Sequence, residues 1–155
     1  MSSSLTATKI KNVISECELH QKRIEYALEK LKKFMPLDAE KYKVLNDEQV
    51  EALDQFLFRF SKLQDSIGQR LFSYLLEAQE EPVKHLSFLD KLNRLEQLGI
   101  IPDKDQWLNI RNLRNKVSHE YEDDPFAMCN ALNLVYASYT QLATIFLQVK
   151  QSFSQ

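Results

Sequence analysis

The stretch IKNVISECELHQKRIEYALEKLKKF, residues 10–34, decides the fold class of this chain. Its apolar side chains recur at intervals of three and four residues, which places them on one face of an α-helix. We expect this helix to begin after the Ser-rich start, with Thr6 or Thr8 as its N-cap, and to end near Met35 because Pro36 cannot continue it. The apolar seam consists of Ile10, Val13, Ile14, Cys17, Ile24, Ala27, Leu28, Leu31 and Phe34.

A second long helix is predicted after a polar connector, PLDAEKYKVLN. Asn46 and Gln49 have the spacing of a capping box, and apolar residues then follow in the same rhythm as far as Ala78. Gly68 lies inside this helix at a cost of about 1 kcal/mol relative to alanine, so we expect another backbone to pack closely against it. The two long helices are predicted to be antiparallel and to frame a bundle.

Three polar residues on these helices are interpreted as structural. His20 occupies a missing turn of the apolar seam and is predicted to be a hydrogen-bonded boundary residue, because no second metal ligand accompanies it at helical spacing. Asp65 and Arg59 are expected on the solvated face of the second helix, or else lining a cleft.

Three further helices are indicated by their end signals. Ser87 is predicted to cap the third helix, which Gly99 ends, and Asp103 is predicted to cap the fourth. Asp124 followed by Pro125 is typical of the first residues of a fifth helix.

The composition supports the same fold class. Two glycines and four prolines are too few for the turns of an all-β fold or for the loops of a nucleotide-binding α/β fold. We therefore predict an all-α protein, an up-and-down bundle of four to five helices, in a single domain spanning residues 1–155, with residues 1–5 flexible. Because the seams of the two long helices offer more apolar surface than such a bundle needs, we also expect a homodimer.

Charge and cysteine usage restrict the function further. Twenty basic and twenty-two acidic residues give a formal net charge of −2, which excludes a uniformly basic surface and confines any RNA contact to a patch. Cys17 and Cys129 are predicted to be buried thiols of a reducing cytoplasm. No stretch approaches the roughly 20 apolar residues of a membrane span, so we expect a cytoplasmic protein without membrane contact.

The stretch RNLRNKVSHEY, residues 111–121, concentrates the residues capable of chemistry. At about 100° per residue, Arg114 falls on the same stripe as Trp107 and Ile110. A guanidinium on an apolar stripe is costly, so Arg114 either pairs with a carboxylate or faces a polar cleft that can hold a phosphate. Composition and periodicity alone favour the first alternative, a polar helix end whose arginines pair with nearby acids.

Arg114 and His119 are five residues apart, which separates them by about 140° on a regular helix. They can act on one small group only if the helix ends or loosens near His119. If it does not, Arg111 is the better partner, because it shares a side with Asn115 and His119.

The same stretch carries a family resemblance: Arg114, four residues, His119, one residue, Tyr121. This pattern resembles the signature of the HEPN superfamily, and in its extended form it is similar to the HepT toxin branch. The lead-in WLNIRNLRN and the segment FLFRFSKLQDSIGQRLF are similar to that branch as well, and the resemblance covers roughly residues 5 to 150 in helix order and length.

The resemblance implies a metal-independent endoribonuclease that works as a homodimer on RNA, with the two motifs facing each other across a cleft. It implies no cofactor and no metal. Arg114 and His119 would be the catalytic residues, and Asn115, Arg111 and Lys116 would support them or bind RNA.

The resemblance also assigns Tyr121 as a modification site. A partner nucleotidyltransferase, the antitoxin, would transfer AMP to this tyrosine and silence the nuclease. The near-neutral charge and the acidic turn EYEDDP keep an alternative open, a catalytically silent HEPN module that docks a small nucleotidyltransferase. A third hypothesis is a helical structural protein whose function does not involve nucleotides.

Overall fold

The computed structural model describes residues 2–118 and 124–154, and within those ranges it is all-helical, without any strand. This confirms the predicted fold class of an all-α bundle. The elements are α1 (Ser2–Leu31), α2 (Ala39–Lys43), α3 (Asp47–Ser66), a π-helical turn (Ile67–Leu71), α4 (Phe72–Ala78), α5 (Phe88–Gln97), α6 (Lys104–Ser118) and α7 (Pro125–Ser154).

Helix α1 packs antiparallel to the continuous helix formed by α3, the π-helical turn and α4, which we call the frame helix. Glu16 on α1 accepts a hydrogen bond from Ser66, and one turn later His20 Nδ1 lies 3.1 Å from Arg59 Nη1. Residue numbers therefore rise along one helix and fall along the other, as predicted for the frame. Both helices contribute to one core, which α6 and α7 complete.

Most of the apolar seam of α1 packs inside the chain. Six of its nine predicted members, Ile10, Val13, Cys17, Ile24, Ala27 and Leu31, are buried, and Ile14, Leu28 and Phe34 are partly buried. The seam of α1 therefore contributes little of the apolar surplus from which a dimer was expected, and the dimer stays a prediction.

The predicted N-caps of the second to fifth helices, and the predicted end of the third helix at Gly99, are confirmed. Each N-cap side chain accepts a hydrogen bond from a backbone N–H in the first turn of its helix, and these residues are Asn46, Ser87, Asp103 and Asp124. Asn46 also donates its backbone N–H to Gln49 Oε1 at 2.9 Å, which completes the capping box. Gly99 ends α5 with a φ of 75°, a left-handed conformation that glycine adopts without steric cost.

Three predictions about helix bounds were wrong. Helix α1 begins at Ser2 and ends at Leu31, before the predicted end near Met35. Thr6 and Thr8 therefore lie within α1 and neither is its N-cap; the Thr8 hydroxyl donates to the Ser4 carbonyl at 3.1 Å. The connector before α3 contains the single-turn helix α2, which periodicity could not predict over so few residues. Asp38 caps α2 by accepting the backbone N–H of Lys41 at 2.8 Å.

The π-helical turn and Gly68 set the approach of α6 to the frame. The backbone N–H of Phe72 donates to the Ile67 carbonyl, so this turn holds one residue more than an α-helical turn. A Cβ atom on Gly68 would lie 2.9 Å from Cζ2 of Trp107, whose ring is fully buried. The close neighbour of Gly68 is thus the indole of α6 and not another backbone, which corrects the prediction.

Candidate functional site

The C-terminal half of α6 presents four of the predicted site residues on two different sides. Arg114 points toward α3, where its Nη2 lies 2.9 Å from Asp65 Oδ2, and its side chain is 26 % exposed. Its Nη1 lies 3.4 Å from Oδ1 of Asn115. Lys116 is exposed. Arg114 therefore pairs with a carboxylate of α3. This is the first of the two alternatives predicted for a guanidinium on this apolar stripe.

Arg111 lies apart from Arg114, on the surface beside α5. Its guanidinium carbon is 4.7 Å from the centre of the Phe88 ring, a cation–π contact. Arg111 also lines a cleft with Gln64 and Gln69 of the frame helix. The sequence left open whether Arg114 or Arg111 acts together with His119. In the structure these two arginines have different neighbours: Arg114 contacts a carboxylate and Arg111 contacts an aromatic ring.

The remaining two predicted site residues, His119 and Tyr121, lie outside the described residues. Helix α6 is described as far as Ser118, and the chain is described again from Asp124, the N-cap of α7. The condition that the helix ends near His119 therefore stays a prediction.

A second polar cluster, which we did not predict, lies between α1 and α3. Glu16 accepts hydrogen bonds from Ser66 at 2.7 Å and from Arg70, and its carboxylate lies 3.6 Å from Nε2 of His20. His20 in turn contacts Arg59. The signal was present in the sequence, because Glu16 and His20 are four apart on one helix and Ser66 and Arg70 are four apart on the other.

The electrostatics of this cluster follow from its contacts. The hydrogen bond from Ser66 is the largest cause that lowers the pKa of Glu16, and Arg70 acts in the same direction against the effect of burial. Burial and the nearby Arg59 lower the pKa of His20, which keeps this histidine in its neutral form at neutral pH. His20 is 8 % exposed and hydrogen-bonded, as predicted for a boundary residue.

Asp65 connects the two polar regions. Its carboxylate pairs with Arg114, and the residue lines both the cleft beside Arg111 and a larger cleft of about 490 Å³ beside Glu16, His20 and Arg70. Of the two alternatives predicted for Asp65, the structure shows the second, a residue that lines a cleft.

The two cysteines and the tyrosines of α7 have structural positions. Cys17 and Cys129 are buried free thiols, and burial raises the pKa of Cys17 to about 12. Tyr139 is buried and Tyr136 is partly buried, and both rings pack against Phe56. These residues belong to the core or pack against it, as predicted for the two cysteines.

Three further observations bear on what the chain resembles and contains. In the described part of the chain, no helix combines the length and the apolar character that a membrane span requires. Within residues 2–118 and 124–154, His, Cys, Asp and Glu side chains form no group of three or more that could hold a metal ion. Comparisons with known protein families, with curated proteins and with solved structures find no match to this chain. The resemblance to the HEPN superfamily therefore depends on the motif residues themselves.

Proposed function

We propose that this chain is a metal-independent endoribonuclease, the toxin of a toxin–antitoxin pair, with Arg114 and His119 as its catalytic residues. The observation that carries the proposal is the position of Arg114. A guanidinium that is three-quarters buried near the end of α6, and fixed by a carboxylate of a second helix, precedes a histidine by five residues. The Asp65 contact fixes the orientation of the guanidinium, and Asp65 itself lines a cleft that carries two cations, Arg111 and Lys91.

The chemistry proposed for this site is transesterification within RNA. The 2′-oxygen forms a bond to the adjacent phosphorus, the bond from phosphorus to the 5′-oxygen breaks, and a 2′,3′-cyclic phosphate and a 5′-hydroxyl result. One His119 removes the proton of the 2′-hydroxyl, and the His119 of a second subunit donates a proton to the departing 5′-oxygen. Arg114 stabilises the charge that develops on the phosphoryl oxygens.

The mechanism requires a homodimer, because one chain has one histidine in the motif. Since most of the α1 seam is buried within the chain, the dimer surface has to be found among exposed apolar side chains such as Leu19, Tyr26 and Phe58. Light scattering at micromolar concentration should give the mass of a dimer, and a monomer would remove the composite site.

Control of the nuclease is proposed to act at Tyr121. The phenolic oxygen of Tyr121 attacks the α-phosphorus of ATP held by a partner nucleotidyltransferase, pyrophosphate leaves, and the phenolic proton is lost. The product carries a bulky anion two residues from His119, and this anion would obstruct and repel RNA. Intact mass after incubation with the partner and ATP should rise by AMP in the parent chain and not in Tyr121→Phe.

The test of the nuclease is cleavage of RNA in EDTA by the purified, unmodified protein. His119→Ala and Arg114→Gln should abolish cleavage, while the matched variants His85→Ala and Arg23→Gln, which change exposed residues away from the motif, should retain it. Melting temperatures of all variants separate loss of chemistry from loss of fold. A well-folded parent dimer that cleaves none of several RNAs would refute the proposal.

One observation favours a second function, a catalytically silent module that docks a nucleotidyltransferase. The carboxylate of Asp65 offsets the charge of Arg114, which reduces the attraction of this site for a phosphate. The net charge of −2 has the same effect at long range. Retained binding of the partner together with absent cleavage and absent toxicity would select this function over the first.

A further inference from the structure

A small cleft lies where the frame helix, α5 and α6 meet, next to the larger cleft beside Glu16, with which it shares Asp65 and Gln69. Its volume is about 230 Å³, below the roughly 300–1,000 Å³ of sites for drug-sized ligands, so it suits a single ring system. We call it the base cleft, and define it by the residues Gln64, Asp65, Gly68, Gln69, Phe88, Lys91 and Arg111.

Two planar groups that line the base cleft, the ring of Phe88 and the guanidinium of Arg111, lie one over the other, and we call this pair the platform. The partly buried ring of Phe88 and the exposed guanidinium of Arg111 are in cation–π contact at 4.7 Å. Aromatic rings and arginine planes are the surfaces on which unstacked nucleobases stack in RNA-binding proteins. Lys91, which donates from Nζ to Ser73 Oγ at 3.1 Å, adds a cation beside this platform.

Gln64 also lines the base cleft, and its amide oxygen has no hydrogen-bond partner among the described residues. Gln64 is only 3 % exposed, and among the described residues its buried Oε1 meets no donor. A buried acceptor left unsatisfied costs about 1–3 kcal/mol, so a turn of the Gln64 side chain that brings this oxygen to the cleft and to the donor of a ligand would regain that free energy. A glutamine amide offers an acceptor and two donors on one flat group, which is suited to the edge of a base.

We propose that the base cleft is a subsite for one nucleobase, stacked on Phe88 and Arg111 and hydrogen-bonded by the amide of Gln64. Adenine is the base expected to bind best, because glutamine pairs bidentately with the N6 and N7 atoms of adenine. The ligand class is therefore an adenine nucleotide, free or within RNA.

The base cleft adjoins the proposed catalytic site through one shared residue. Asp65 lines the cleft and also forms the ion pair with Arg114. An RNA strand with a base in the cleft would thus have a neighbouring phosphate close to Arg114, and cleavage would depend on the identity of the base. This last step rests on the proposed ribonuclease function, whereas binding of a base in the cleft does not.

The experiment uses the full chain and its single tryptophan as the reporter. The ring of Trp107 packs against Gly68 of the base cleft, so a base that enters the cleft should change the fluorescence of Trp107. We would titrate the protein with AMP, adenosine and ribose 5-phosphate. AMP and adenosine should saturate the signal with Kd values in the millimolar range or tighter, and ribose 5-phosphate should not saturate it at roughly 10 mM.

Two variants test the contacts, each with a matched control. Phe88→Leu should weaken AMP binding about 5- to 150-fold, since stacking on an aromatic side chain contributes about 1–3 kcal/mol per base. Gln64→Leu keeps the side-chain size, removes the amide, and should reduce the preference for AMP over UMP. The controls Phe126→Leu and Gln151→Leu change exposed residues outside the base cleft and should bind AMP like the parent.

The result that overturns the base cleft is an absence of saturable binding of AMP and adenosine by folded parent protein, or equal binding of ribose 5-phosphate. Equal AMP affinity of Phe88→Leu and the parent overturns it as well. If RNA is cleaved but these binding results are negative, the cleft fails and the nuclease stands. If AMP binds as expected and RNA is not cleaved, the cleft stands and the nuclease fails.

Discussion

The ion pair between Asp65 and Arg114 gives the sharpest test of how the site is held together. Its two side chains are 31 % and 26 % exposed, and the N–O distance is 2.9 Å. Hydrogen bonds to charged groups contribute about 1.5–3 kcal/mol when buried, and exposed ion pairs about 0.2–1 kcal/mol. The exposure of this pair lies between these situations, so we expect a coupling free energy of about 1–2 kcal/mol in a double-mutant cycle.

The cycle consists of the parent, Asp65→Asn, Arg114→Gln and the double variant, each unfolded in urea. A matched control is available in the pair of Glu29 and Lys32, which is closer at 2.6 Å but has side chains 72 % and 60 % exposed. Its coupling should be below about 0.5 kcal/mol, since solvent screens exposed pairs. A coupling for Asp65 and Arg114 no larger than that of the control would refute the argument that burial makes this pair significant.

In the proposed RNA cleavage, Asp65→Asn separates the effect of the orientation of Arg114 from the effect of its charge. Asp65→Asn removes the carboxylate charge that competes with phosphate for Arg114, so KM for RNA should fall. It also weakens the contact that orients the guanidinium, so kcat should fall too. Unchanged values of both constants would show that Asp65 does not act on Arg114 during catalysis.

Three further predictions concern the frame helix and α1. Gly68→Ala should destabilise the fold by about 1 kcal/mol. Overpacking against Trp107 costs about 1–3 kcal/mol, whereas the gain in helix propensity is about 1 kcal/mol. Urea unfolding measures the difference, and the effect should be smaller in the background of Trp107→Phe. Because the folded-state pKa of Glu16 is lowered, its contribution is present above the ordinary value of 4.5 and is lost as pH falls through the folded-state pKa; the stability advantage of the parent over Glu16→Gln should therefore decrease as the pH falls below 4.5, and an advantage that stays constant with falling pH would contradict this. The buried thiol of Cys17, with a pKa of about 12, should resist alkylation at pH 8 until urea unfolds the chain, as mass spectrometry of the labelled peptide can show.

Periodicity and end signals predicted the helices because each depends on residues close in sequence. The Asn46 capping box, the Gly99 stop and the Asp124 cap are all local, and all occur as predicted. The π-helical turn could not be predicted in this way, because its extra residue is accommodated by packing with α1 and α6 and no local residue type encodes it. The error at Gly68 has the same origin: the pattern required close packing, and only the fold shows that Trp107 supplies it.

The same distinction between local and distant residues applies to the candidate site. Arg114 was singled out because it interrupts an apolar stripe. The cost of burying a guanidinium there left two possible partners, a carboxylate or a phosphate. Its actual partner, Asp65, is 49 positions away and was assigned to a solvated face or a cleft, since no spacing rule links α3 to α6. Sequence reasoning therefore identifies a residue that needs a partner more readily than it identifies the partner.

This difference explains why the base cleft was not foreseen. Its residues come from three helices, and Gln64, Phe88 and Arg111 are each unremarkable in their own segments. What makes them notable is a buried amide oxygen without a hydrogen-bond partner among the described residues, on a side chain that lines the same cleft as a stacked arginine; this relation exists only after folding. If Arg111 serves the base and Arg114 the phosphate, the two arginines have divided the work between them. Arg111→Gln should then alter base preference at nearly constant cleavage of the best substrate, whereas Arg114→Gln should reduce cleavage of every RNA alike.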